Sequence, residues 1–358
     1  MLAQGWWAMS AWWLVTAMIA AGLTRTALAY AHWRQLLDFP GQRRSHSLPT
    51  PRGGGVAIVI CVAMALPWVS WDEWVVPSVL GVALLAVAGV GWLDDHRSQP
   101  VLRRLLVHII AATGLAWVLP MPHLLPWGTW WMPLVVAVCA VWLVACINAW
   151  NFMDGSNGLL ASQCLWLGAA LAMIGLVGDE ASKPGPWIVV AWTMAGACMG
   201  FLPFNFPRAR IFLGDVGSGA LGLICGVLLW VAVARAPEHF WAWVVLPSAL
   251  LVDASLTLAS RIVSGRRWYT AHREHLYQWL IRSGRSHAQV ALLYMAWNLV
   301  VVLPVLVVMK AWPEHSMMLA LSVLVLASGI WWFGKRAVMR QRRAVCRAGR
   351  QVPVQGRS

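Results

Sequence analysis

Two adjacent acids, Asp94 and Asp95, close an apolar run in the stretch Gly91-Trp92-Leu93-Asp94-Asp95-His96. Neighbouring carboxylates repel, which is costly beside a membrane unless a cation or arginines offset the charge. The pair reads either as a cation and phosphate site or as solvated acids partnered by Arg97, Arg103 or Arg104. A second cluster runs from Asn148 to Gly158 directly after another apolar run. Asn148, Asn151 and Asp154 recur every third residue, so on successive helical turns they face one direction; the plainer reading is a capped turn between two helices. In the third cluster, Phe204 to Gly219, Asp215 stands between Gly214 and Gly217 at the head of an apolar helix. Glycine admits close backbone approach and a helix N-terminus favours anions, so this element suits a phosphate or a metal-bound phosphate. Asp215 alone would be an ordinary N-cap.

Two basic loops complete the set. His272-Arg273-Glu274-His275 with Gln278 places two imidazoles three residues apart, able to face one ligand. The order is not that of a zinc-protease helix; phosphate contacts from Arg273 and His275 fit a basic loop better, and an amphipathic helix lying on anionic lipid is the alternative. Arg43-Arg44-Ser45-His46-Ser47-Leu48-Pro49-Thr50-Pro51-Arg52 leads into Gly53-Gly54-Gly55, a run able to hold phosphate oxygens or simply to flex. Asp253 differs from the other acids because it lies about eight residues, on the order of 12 Å, inside an apolar segment. An ionisable group at that depth is a functional candidate, or the buried partner of an arginine.

The elements that must position these groups are membrane spans. The chain has 358 residues, 60% of them hydrophobic and only 11% charged, with mean hydropathy +0.66, which excludes an ordinary soluble domain. Eleven apolar segments are expected to span: 6–25, 53–71, 75–93, 104–120, 129–147, 158–177, 187–204, 217–234, 241–260, 288–309 and 316–334. The first reads as a span rather than a signal peptide. Trp pairs such as Trp130–Trp131 and Trp331–Trp332 mark segment ends, as an interfacial aromatic belt does. Of the 27 Lys and Arg, 23 fall on one set of alternate connections, and only Lys183, Arg235 and Lys310 on the other. That asymmetry predicts an outside N-terminus, a cytoplasmic C-terminus and chemistry on the inner side. It also accounts for the net charge of +14 without a nucleic-acid partner. Six cysteines in apolar runs read as core hydrophobes. The expected organisation is a single transmembrane domain over 1–334 and a basic cytoplasmic tail over 335–358.

At these residues the chain resembles the polyprenyl-phosphate N-acetylhexosamine-1-phosphate transferase superfamily (glycosyltransferase family 4). The superfamily includes the phospho-N-acetylmuramoyl-pentapeptide translocase and the enzymes that initiate O-antigen. Asp94-Asp95 looks like the family's paired aspartates, Asn148 to Gly158 like its N-A-x-N-x-x-D-G-x-D-G element, Phe212 to Ser218 like its F-x-G-D-x-G-S element, and the His272 loop like its His-rich loop. Arg52-Gly53-Gly54-Gly55 and the His-Arg-x-His-x-x-Gln pattern lean toward the O-antigen branch.

The resemblance implies an all-α polytopic enzyme in the bacterial inner membrane with its site facing the cytoplasm. It implies transfer of a 2-acetamido-sugar-1-phosphate from a UDP-sugar to undecaprenyl or another polyprenyl phosphate, with UMP leaving. It assigns Mg²⁺, or Mn²⁺ in its place, to Asp215; the catalytic pocket to Asp94, Asp95 and Asp154; and substrate binding to Asn148, Asn151, Phe152, Asn205, Phe212, Arg52, His272, Arg273 and His275. Phe212 would stack on the uracil. Asn157 stands where the family has the second acid of D-G-x-D-G; amide in place of carboxylate suits a uridine contact rather than a metal ligand. A homodimer is compatible with this reading. The rival is a polytopic transporter or flippase of lipid-linked sugar, which would place its polar groups nearer the bilayer midplane.

Overall fold

The structure, a computed structural model, describes residues 2–39, 49–68, 74–119, 129–177, 185–267 and 272–350, with side chains described over 7–341 of these. The stretch Arg43 to Leu48, the acids Asp72, Glu73, Asp179 and Glu180, and the tail 351–358 lie outside the described residues.

Apolar runs of this length have no water to satisfy their backbone, so they fold as helices that satisfy it internally. In chain order these are α1 (Leu2–Trp33), α2 (Val56–Ala65), α3 (Val75–His96), α4 (Val101–Val118), α5 (Met132–Met153), α6 (Leu159–Val177) and α7 (Pro186–Asn205). They are followed by α8 (Asp215–Arg235), α9 (Phe240–Val245), α10 (Ser248–Val263), α11 (Leu276–Arg282), α12 (His287–Trp297), α13 (Leu303–Ala311) and α14 (Ser316–Arg350). A two-residue antiparallel ladder, β1 (Leu37–Asp38) with β2 (Thr50–Pro51), pairs Leu37 with Pro51 and Asp38 with Thr50.

The fold is therefore that of an all-α polytopic membrane protein. Each of the eleven expected segments meets helix. Among the described residues, eight helices are long and apolar enough to cross a membrane, nine if one bent pair is counted as a single span, while Val56–Trp68 and Leu159–Gly175 are shorter. The bent pair is the segment expected at 241–260, which breaks between α9 and α10 at an angle of 72°. Pro247 sits at the break, where it offers no N–H to continue the ladder. Further boundaries move. The helix expected to end at 25 continues to Trp33. The helix expected to end at 147 continues to Met153, carrying Asn148 and Asn151 on its last turns. The helix expected to end at 334 continues through Arg350, so residues 335–350 prolong α14.

The core gathers around α8, whose apolar window is 83% buried, against 22% for α14. Small residues let neighbours close on it: Gly222 packs against the backbone of Cys146 and Ile147 on α5. Cys61, Cys139, Cys146, Cys164, Cys198 and Cys225 are all free and buried in this core, as their apolar settings predict.

Candidate active site

The end of α3, the start of α4, the end of α5 and the start of α8 converge, and each brings a polar group that the sequence singled out. Asp94 and Asp95 occupy the last turn of α3, and Asp215 opens α8. The α3 and α8 backbones nearly touch here. A Cβ on Gly91 would run into the Asp215 carbonyl, and one on Gly214, which holds φ +77°, would run into the Asp95 carboxylate. Only glycine allows both approaches.

The two adjacent acids do different work. Asp95 is buried; its Oδ1 accepts from the Asp215 amide at 3.1 Å and its Oδ2 from the Val216 amide at 3.2 Å. It thus caps the N-terminus of α8 from another helix, satisfying two donors that no intrahelical carbonyl reaches. The Arg52 Nε lies 3.9 Å from the same carboxylate. Asp94 is more open. Its Oδ1 accepts from the Gln99 amide at 2.6 Å and its Oδ2 from Arg104 Nη1 at 3.0 Å. The same Arg104 nitrogen donates to Asp215 Oδ2 at 2.6 Å. One guanidinium therefore bridges two carboxylates that lie 121 positions apart in sequence. The arginine partner foreseen for the acid pair is thus Arg104, and it serves Asp94 and Asp215 rather than Asp94 and Asp95.

Asn151 completes this cluster by donating from Nδ2 to Asp215 Oδ1 at 3.3 Å. Asn148, one turn earlier, donates to the Val144 carbonyl of its own helix. Asp154 follows α5 at its C-terminal end, half-buried, and no hydrogen bond to its carboxylate is found among the described residues. Burial first, then the negative charges of Asp215 and Asp95, push the Asp154 carboxyl well above the usual carboxylate range. Such a group gains from a cation arriving beside it.

The loops pack by backbone as much as by side chain. Phe212 donates its amide to the Pro51 carbonyl and accepts from the Gly54 amide, while the Gly55 amide donates to Leu213. The Arg52–Gly55 turn is thereby fixed beside Asp215, with the Phe212 ring half-buried. Asn205, expected as a substrate contact, is buried with both ends used: Oδ1 accepts from the Gly158 amide at 2.6 Å and Nδ2 donates to the Ile211 carbonyl at 2.9 Å. It ties two loops together, so its influence on a ligand passes through them. Asn157 keeps its side chain half-exposed, with only a 3.5 Å contact to the Pro207 carbonyl, while its amide donates to His287 Nδ1 at 3.2 Å.

The His loop meets the other side of the α5 terminus. The rings of His272 and His275 stack with centroids 5.0 Å apart, each 6.2 Å from the exposed Phe152 ring. Burial, then neighbouring cationic groups, lowers the His272 pKa to about 4, and burial lowers that of His275 too, so both rings are neutral at pH 7. Arg273 precedes Glu274, which itself pairs with Arg261 at 2.5 Å and Arg266 at 2.9 Å. Tyr277 locks the loop in place, donating its hydroxyl to the Phe152 carbonyl at 3.0 Å.

Asp253 proves to be an anchor for this loop. Its carboxylate accepts from the Leu276 amide at 2.7 Å, the Tyr277 amide at 3.2 Å, Tyr294 Oη at 2.7 Å, Trp331 Nε1 at 3.0 Å and Thr257 Oγ1 at 3.2 Å. It caps α11 as Asp95 caps α8. Removing a buried carboxylate that satisfies this many donors costs on the order of 3 kcal/mol or more. We expect Asp253→Ala to lower the thermal midpoint of the detergent-solubilised protein by several degrees, with Asp253→Asn intermediate. A wild-type midpoint for Asp253→Ala would refute the anchoring role.

Among the described residues no three His, Cys, Asp or Glu side chains form a ready-made metal cage. The arrangement suits instead a hard cation taken by one or two carboxylates together with ligand oxygens and water, which is how magnesium is usually held. Asp215 and Asp154 are the groups that fit. Sequence reasoning named every acid of the cluster but passed over Tyr277 and His287. Each sits within the polar stretches that follow α10, and only the chain's return to α5 shows their use.

The sequence comparisons identify the chain's relatives. The model of Glycosyl transferase family 4 matches residues 77–233, which run from α3 through nearly all of α8. The chain is 30% identical over 317 residues to a decaprenyl-phosphate N-acetylglucosaminephosphotransferase of Mycobacterium leprae, covering 79% of each chain. The Mycobacterium tuberculosis enzyme of that name is 30% identical over 292 residues, 72% of each. A phospho-N-acetylmuramoyl-pentapeptide-transferase of a Synechococcus strain is 32% identical over 260 residues, 66% of this chain and 70% of the relative. The chain belongs to this family of polyprenyl-phosphate hexosamine-1-phosphate transferases, and it is a sugar-phosphate transferase of the membrane.

Proposed function

We propose that the chain moves a 2-acetamido-sugar-1-phosphate from a UDP-sugar onto a polyprenyl phosphate and releases UMP. The observation that carries this reading is the bridge from Arg104 to Asp94 and Asp215, set at the ends of apolar helices beside Asp154. The bridge supports this reading because a guanidinium and two carboxylates at the ends of apolar helices would suit the meeting of a membrane-held lipid phosphate with a soluble donor. The mycobacterial relatives are named for a decaprenyl phosphate and an N-acetylglucosamine phosphate, and the Synechococcus relative for a phospho-N-acetylmuramoyl-pentapeptide.

In this reaction a lipid phosphate oxygen bonds to the β-phosphorus of the donor. The bond from that phosphorus to the bridging oxygen breaks, and UMP leaves with the electron pair. Two anions must approach in line, so charge neutralisation and positioning are the main tasks. Bound Mg²⁺, or Mn²⁺ in its place, would supply part of that neutralisation. Asp215 and Asp154 would hold it. Arg104 and Arg52 offer guanidinium groups to the remaining oxygens. A phosphate monoester has its second pKa near 6, so little proton needs removing at neutral pH. Asp94 is the acid placed to take it, because Asp95 is committed to the amides of α8.

Asn157 and the half-buried Phe212 ring suit the uridine end of the donor. Asn157→Ala is expected to raise the donor KM about tenfold with kcat nearly unchanged, since it removes binding shared by ground and transition states. Asn157→Asp is expected to keep substantial activity. Lost kcat at unaltered donor affinity would contradict a uridine contact.

The asymmetry of Lys and Arg supports an outside N-terminus and a cytoplasmic site, and hence the inner membrane of a bacterium. Eleven spans follow if the bent pair and the two shorter helices each count as one. Undecaprenyl phosphate as acceptor, and initiation of an O-antigen-type glycan, rest on the Arg52–Gly55 and His272–Gln278 patterns. The direct test gives purified protein polyprenyl phosphate, Mg²⁺ and a panel of UDP-2-acetamido sugars and follows UMP. Release should require both substrates and favour one donor; release without the lipid would contradict the proposal.

A further inference from the structure

Away from the four clustered acids lies a cavity of about 600 Å³ between the end of α10, the His loop, α11 and the inner part of α14. None of Asp94, Asp95, Asp154 or Asp215 lines it. Its wall carries six cations, Arg261, Arg266, Arg273, Arg282, Lys335 and Arg336, against the single acid Glu274. Glu274 is already engaged by Arg261 and Arg266, so the cavity keeps a large positive excess.

Two of the cations, Arg261 and Lys335, are at least nine-tenths buried, with 5% and 9% exposure; Glu274 accompanies Arg261, whereas no ion pair accompanies Lys335 among the described residues. A buried positive excess is costly unless an anion accompanies it. The cavity is also held in shape. Arg282 stacks over Trp279 at 4.6 Å, Lys335 over Trp331 at 4.4 Å and Arg336 over Trp332 at 4.0 Å, and all three indoles line the wall. Finally, buried polar atoms there lack partners. Trp279 Nε1 and His272 Nδ1 find no hydrogen bond among the described residues, and an indole N–H can only donate. Excess cations together with an unsatisfied donor ask for an oxyanion.

We propose that this cavity binds the phosphate headgroup of an anionic membrane phospholipid. The surroundings favour a lipid over a free anion. Ile262 and Val263 beside Arg261, and Trp332 and Phe333 beside Lys335, are strongly exposed apolar residues on the same two helices. They give acyl chains a surface next to the headgroup, which a soluble phosphate would not need. Basic pockets between spanning helices are a recurrent setting for anionic headgroups. A lipid seated here would brace the His loop against α14, and with it Tyr277 and the end of α5. Apart from the reading of the chain as a membrane protein, the proposal needs nothing from the transferase assignment.

The test uses the full chain in neutral detergent, stripped of lipid. Phosphatidylglycerol added to the micelles should raise the thermal midpoint by about 5 °C, and phosphatidylcholine should not. The double variant Arg282→Gln/Arg336→Gln should lose most of that shift. An equal shift from inorganic phosphate would assign the cavity to a free anion, and an equal shift from UMP, abolished in the variant, would assign it to the nucleotide; either result overturns the proposal. So does a variant that keeps the full phosphatidylglycerol shift. Should the variant not fold, native mass spectrometry of the wild type decides. Retention of one phosphatidylglycerol in preference to phosphatidylcholine supports the site, and equal or no retention refutes it. Activity is not the readout, so failure here leaves the transfer reaction untouched.

Discussion

Replacing Asp215 with Asn reduces sugar-phosphate transfer by about 10³-fold while the protein still inserts and unfolds near its normal temperature. Losses of this size follow when one preorganised electrostatic group is removed from a phosphoryl-transfer or acyl-transfer site. Asp215 is the acid at which the arrangement closes: Arg104 holds one oxygen, Asn151 approaches the other at 3.3 Å, and Asp154 lies near enough to feel its charge. Asparagine retains an oxygen for Arg104 but loses the charge that a divalent cation requires. The variant's residual rate should respond only weakly to Mg²⁺. Near-normal turnover at low Mg²⁺ would show that the charge of Asp215 is dispensable.

The second large effect separates the adjacent aspartates. Asp95→Ala strips a buried carboxylate from two α8 amides, and each orphaned donor costs about 1–3 kcal/mol. That variant should lose several degrees of thermal midpoint and nearly all activity, since the start of α8 carries Asp215. Asp95→Asn, with one oxygen for two amides, should fall between. Asp94→Asn should leave the midpoint close to wild type and lower turnover alone, because its partners Gln99 and Arg104 are both partly open to solvent. Equal loss of stability in the Asp94 and Asp95 variants would refute this division.

How much of this was legible in the sequence depends on the range of the interaction. The acids announced themselves because carboxylates are scarce in so apolar a chain, and glycines on either side marked where backbones would close. Gly214 was read as admitting a close approach, without revealing that the α3 backbone at Gly91 would close on α8 or that Asp95 would cap the facing helix. That role depends on how two spans cross, which no local pattern encodes. Arg104 was one of three candidate partners. The choice was made by Pro100, which starts α4 so that Arg104 turns back over Asp94. Asn205 belonged to the right motif, yet its amide turned inward to join two loops. Asp253 was marked by depth alone, and its capping of α11 became visible only when the His loop folded back into the membrane face. The sharp bend within an expected span fell at Pro247, where composition stayed apolar and hydropathy could not register the missing N–H.

The central claim is that the donor's β-phosphorus, not the bare sugar, moves to the lipid. It is tested most directly by supplying UDP-2-acetamido sugar labelled at the β-phosphate to the purified protein with polyprenyl phosphate and Mg²⁺. The account predicts that the label passes into the lipid product, with one unlabelled UMP released for each transfer. Label departing as UDP or as inorganic phosphate, with sugar alone on the lipid or none at all, would contradict it.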